Sequence, residues 1–96
     1  MDQSENPDAM DFSMRGRAKL YEPLTKLTNA QAKDLFDSAL HLDPDNIDAT
    51  IGKASCIAAG VFNGWSTSVV EDQKVATGLI DQVLAKRPAT ANAHIA

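Results

Sequence analysis

A proline-centred motif occurs twice in this chain. Asp43-Pro44-Asp45-Asn46-Ile47-Asp48-Ala49 recurs in outline as Arg87-Pro88-Ala89-Thr90-Ala91-Asn92-Ala93, and a fainter echo stands at Asn6-Pro7-Asp8-Ala9. The prolines at 7, 44 and 88 therefore lie 37 and 44 residues apart. Each copy follows or opens a stretch with helical apolar spacing. A period in the thirties or forties, punctuated by proline between helix pairs, is the mark of stacked helical repeats. The expected fold is all-α.

The composition fits that expectation. Hydrophobic residues make up 44% of the 96 and aromatics only 5%, so the core must come mainly from Ala, Leu, Ile and Val. Small side chains let helices approach closely. The net charge is −4, and the basic residues never cluster beyond Arg15, Arg17 and Lys19, which argues against nucleic acid or an anionic membrane as partner. The acidic opening, with Asp2, Glu5, Asp8 and Asp11 before any basic residue, is not that of a secretory signal. The weakly polar run from Ile51 to Phe62 contains Lys53 and is too short to span a bilayer. A single cysteine, Cys56, cannot form an internal disulfide. The expected location is cytoplasmic.

Four complete helices are predicted. Residues 1–5 read as a disordered start, after which Asn6 caps and Pro7 opens a helix running to about Tyr21, stopped by Pro23. Thr28-Asn29-Ala30-Gln31 reads as a capping box for a second helix, whose apolar stripe is Ala32, Leu35, Phe36, Ala39, Leu40 and Leu42. Asp45 or Asn46 then caps a third helix, carrying Ile47, Ile51, Ala54, Ile57, Ala58 and Val61. Gly64 suits a left-handed terminator, with Trp65 folding back on Ala59 or Gly60. Ser68-Val69-Val70-Glu71 reads as another capping box, before a helix with Val75, Ala76, Leu79, Ile80, Val83 and Leu84. Gly78 within it is expected to mark close packing. A fifth helix begins near Thr90, so the chain reads as a fragment that stops within a unit.

These residues resemble the tetratricopeptide repeat, over about residues 7–96. Ala32, Phe36, Ala39 and Pro44 have the spacing of that repeat's second helix and closing proline, and Ala76, Ile80, Val83 and Pro88 occupy the matching places of the next unit. Gly16 and Ala54 stand at the small-residue positions of the two first helices. Two departures are plain: Gly16 to Pro44 spans 28 residues and Ala54 to Pro88 spans 34. The family interval is about 24 within a 34-residue unit, so the extra residues fall at the Pro23 linker and at Gly64–Ser68. Ile80 and Val83 also replace the commoner Phe and Ala.

The resemblance implies antiparallel helix pairs stacked as a short right-handed superhelix. Unit 1 would cover 7–44, unit 2 would cover 45–88, and 89–96 would be the truncated start of a third. More narrowly, Asn6-Pro7-Asp8-Ala9, Arg15-Gly16-Arg17-Ala18, Leu42-Asp43-Pro44-Asp45-Asn46 and Asn63-Gly64-Trp65-Ser66 together resemble the helical-repeat region C-terminal to the catalytic domain of bacterial class III adenylate/guanylate cyclases. A similar region occurs in some bacterial transcriptional regulators. No catalytic domain lies within these residues, so no cyclase activity carries over.

No catalytic, cofactor or metal site is expected. Asp43, Asp45 and Asp48 invite comparison with a calcium loop, but the sixth position is Asp48 where Gly is needed and the twelfth is Ala54 where Glu is needed. His41 and His94 are remote from each other and from other ligands. Cys56 has apolar neighbours and reads as core. Gly60-Val61-Phe62-Asn63-Gly64 lacks the Lys and Ser/Thr of a phosphate loop. Trp65 reads as a plug between the third and fourth helices.

The expected function is thus a non-catalytic protein–protein interaction or scaffolding module within a larger bacterial signalling protein. The resemblance puts Arg17 and Leu20 of unit 1 on the concave groove, with Asp48, Ile51, Ser55, Ala58 and Ala59 of unit 2. Ile51 and Ser55 stand where a clamp for a peptide carboxylate would need Lys, Arg or Asn, which argues against a chaperone-tail receptor. The expected partner is a protein or peptide. A homodimer through the uncovered C-terminal end is also expected, because the fourth helix carries an apolar strip that a complete fifth helix would cover. The alternative is a small-molecule sensor with its ligand near Trp65.

Overall fold

The computed structural model describes residues 6–86, and among them the architecture is all-α. Four helices follow in order: α1 (Pro7–Leu20), α2 (Lys26–Leu42), α3 (Ile47–Phe62) and α4 (Val69–Lys86). Each packs on its chain neighbour, and α1 also touches α3. The two predicted helix pairs are therefore present, α1 with α2 and α3 with α4. Pro88, His94 and the fifth helix lie outside the described residues.

Local chemistry sets the boundaries. The Asn6 side chain accepts from the Asp8 and Ala9 N–H groups, and Pro7 takes a position whose missing N–H costs nothing. The predicted capping box of α2 is misplaced by three residues. Thr25 is the N-cap, its Oγ1 accepting from the Thr28 N–H at 3.0 Å while the Thr28 Oγ1 accepts from the Thr25 N–H at 2.9 Å. Thr28 does what Glu or Gln usually does in this motif. Asp43 Oδ1 accepts from the Asp45 N–H, an aspartate turn closing the α2–α3 connection, and Asn46 caps α3.

Gly64, at φ +76°, ends α3 as predicted. The Gly64 N–H donates to the Val61 carbonyl at 3.2 Å and the Trp65 N–H to the Gly60 carbonyl at 2.7 Å, the two bonds of a Schellman termination. The second predicted capping box differs. The Ser68 N–H donates to Ser66 Oγ, so Glu71 does not reach back.

The core is small and built around one ring. Phe36, Ala32 and Ala39 of α2 are fully buried with Ala9 of α1 and Ala49 of α3, and Cys56 joins them. Phe36 lies against two glycines. A Cβ on Gly16 would stand 2.8 Å from the Phe36 Cε1, and one on Gly52 would overlap the ring outright. Ala54 is buried as expected, yet the glycine that receives the ring from α3 is Gly52.

Gly78 was expected to mark close packing and does not: nothing stands within 4 Å of the Cβ it lacks. On α4 the stripe is only partly covered, with Ala76, Leu79 and Val83 half-buried and Val75, Ile80 and Leu84 exposed. Ile80 therefore does not repeat the role of Phe36. Leu42 and Ile51 are also exposed, and Ile51 shares the outward face of α3 with Asp48, Ser55 and Ala58.

Candidate functional site

Asp48, Ile51, Ser55 and Ala58 recur every three or four residues along α3, so they share one face, and all four are exposed. Ala59 beside them is half-buried. Ala54, Cys56 and Ile57 of the same helix are buried. Arg17 and Leu20 are exposed near the end of α1. Ser55 and Ala58 line a shallow apolar cleft with Ala54, Ala76 and Ile80, so that part of the α3 face opens toward α4. Arg17, Leu20, Asp48 and Ile51 do not line it. A larger opening of about 470 Å³ runs between α3 and α4 beside Ala58 and Phe62, whose ring is 90% exposed.

A second feature was not read from the sequence. Asn29, on the first turn of α2 and only 8% exposed, sits on the inward stripe three residues before Ala32 and seven before Phe36. Its Nδ2 donates to the Cys56 carbonyl at 3.0 Å, while its Oδ1 is buried without a hydrogen-bond partner. Asn29 lines a cavity of about 190 Å³ with Lys26, Lys33, Trp65, Ser66 and Asp72. Trp65 is half-buried at this cavity, so its ring is neither an exposed anchor nor a full core plug. Sequence reading assigned Asn29 to a capping motif; its place on the apolar stripe was the signal that could have singled it out.

The electrostatics are modest. Asp37 of α2 receives Lys53 Nζ from α3 at 2.8 Å and Lys33 Nζ from its own helix at 3.2 Å. Partial burial alone would raise its pKa, but the two lysine hydrogen bonds outweigh burial and hold it below the ordinary carboxylate value. Burial pushes the Cys56 thiol up to about 11, with Lys33 opposing weakly and Asp37 adding to the rise. Such a thiol is a poor nucleophile.

Among the described residues no group of His, Cys, Asp or Glu is arranged to hold a metal ion. None of the described helices is long and apolar enough to cross a membrane. Comparison of the chain with protein-family models, curated proteins and solved structures finds no match.

Proposed function

We propose that this chain is a non-catalytic interaction module of tetratricopeptide-like build, serving as a regulatory or scaffolding part of a larger bacterial signalling protein such as a nucleotide cyclase. The observation that carries the reading is the uncovered face of α3. Asp48, Ile51, Ser55 and Ala58 form an exposed strip, acidic at its first residue and small or apolar along the rest, that no other described helix covers fully. An exposed strip of this kind is a surface on which an extended or helical peptide can settle. The cytoplasmic setting, the right-handed stacking and the cyclase context belong to the same proposal. They rest on the sequence resemblance.

Selection from a random peptide library against the folded chain tests it. Selected peptides should bind wild type and lose affinity with Ile51→Arg or Ala58→Glu, at unchanged melting temperature. Both positions are exposed, so neither substitution disturbs the core. Failure to select any binder, or binders indifferent to both changes, would refute the reading. Self-association through α4 is part of the proposal, supported by the exposure of Val75, Ile80 and Leu84 on that helix.

A further inference from the structure

We infer that the cleft between α3 and α4 receives the outer face of α1 from a second copy, so that copies of this chain join head to tail. The inference rests on the interaction reading above and names one partner for it.

The cleft is continuous and its charge is of one sign. Its two parts, of about 470 and 320 Å³, share Ala58, Ala76 and Thr77, and Phe62 and Ile80 add larger apolar groups. Alanines on both walls keep it shallow. Asp72 lines one part and Asp81 the other, and neither makes an ion pair among the described residues. No lysine or arginine among those residues lines the cleft. An occupant that suits it is mostly apolar and brings a cation to meet the carboxylates.

The same chain carries such a surface on its first helix. Met10, Met14, Arg17 and Tyr21 recur at helical spacing, so they share one face, and all four are exposed. Arg15 and Lys19 are already paired with Asp11 and Glu22, whereas Arg17 makes no ion pair among the described residues. Methionine, tyrosine and arginine are among the side chains enriched where protein surfaces meet. The lengths agree as well: Met10 to Tyr21 covers about 16 Å of helix and Asp72 to Asp81 about 14 Å, at ~1.5 Å per residue.

Face and cleft of one copy stay apart. The residues that α1 buries, Ala9, Ser13 and Gly16, lie on a different face, and α1 does not reach α4. The pairing therefore joins two copies through two unlike surfaces. Such a contact leaves one face and one cleft free, so the assembly grows as an open chain or closes as a ring.

Sedimentation of the full chain at up to about 1 mM tests this with two variants. Met14→Asp with Arg17→Glu spoils the α1 face, and Ala58→Glu with Ile80→Asp spoils the cleft. All four positions are exposed, so both variants should melt as wild type does. Wild type should form species larger than a dimer, and each variant alone should stay monomeric. An equimolar mixture of the two should give a dimer and nothing larger, because one intact face then meets one intact cleft. Self-association of the α1 variant on its own, or a mixture that stays monomeric, would overturn the inference. The first of these results would leave self-association through α4 standing as a symmetric contact. A wild type that stays monomeric would also overturn it, and would point to residues 87–96 of the same copy as the cover of the cleft. Peptide selection against the α3 strip judges the broader reading separately.

Discussion

The ring of Phe36 occupies the place where a side chain on Gly52 would stand. The pairing joins α2 to α3 at the point where α1 also arrives, through Gly16. Gly52→Ala should therefore destabilise the chain. Alanine gains about 1 kcal/mol of helix propensity over glycine, but a forced shift of a packed ring costs about 1–3 kcal/mol. Gly78→Ala should do the reverse and stabilise by about 0.5–1 kcal/mol, since its surroundings are open. Thermal melts of the two variants should move in opposite directions. A higher melting temperature for Gly52→Ala would disprove the placement of the ring.

Phe36 is fully buried and is the largest fully buried side chain among the described residues. Phe36→Ala should cost about 3–5 kcal/mol, a large part of the roughly 5–15 kcal/mol available to a domain. Urea denaturation would measure it. A midpoint close to wild type would mean that the register of α2 is wrong.

Cys56 should be nearly inert in the native chain. With the thiol pushed up to about 11, very little thiolate exists at neutral pH, and the side chain is 1% exposed. Labelling by a thiol reagent should be slow in buffer and fast in concentrated urea. Equal rates in the two solutions would contradict the burial.

Asp37 gives the chain a stabilising contribution on the acid side. Its folded pKa is depressed, so the contribution is complete above the unfolded value of about 4 and is lost as pH falls through the lower folded value. Its side chain is 36% exposed and Lys33 is 40% exposed, so solvent screening keeps the effect below about 1 kcal/mol. Asp37→Asn should reduce the gap between melting temperatures measured near pH 5 and near pH 2. An unchanged gap would show that the lysine contacts contribute nothing.

Ile80 and Leu84, one turn apart on α4, leave an apolar patch in solvent. Sedimentation should show weak self-association that grows with concentration, and Ile80→Asp with Leu84→Asp should remove it. A strict monomer at about 1 mM would refute this part of the proposal.

The local signals were legible because they act within one turn of chain. Asn6, Asn46 and Gly64 do what their residue types suggest at those places. The stripe of Ala32, Phe36 and Ala39 was legible from its period alone. What failed depended on registration between helices. Gly52 and Gly78 look equivalent in sequence, and only the path of Phe36 across the α2–α3 contact separates them. The start of α2 was misread because a threonine, where an acidic or amide side chain is usual, closes the box at Thr25. The Trp65 cavity was only half visible. The indole drew notice, but Asn29, Lys26 and Asp72 meet there through folding, from positions up to 46 residues apart in the chain.

Among the described helices α4 packs only on α3, and none of residues 69–85 is fully buried. The Phe36 junction, by contrast, draws on three helices at once. Contacts distributed this way turn the chain into a gradient of opening energies instead of a single cooperative block. Amide protons along α4 would exchange with solvent by local detachment, long before those around Phe36 are released by global unfolding.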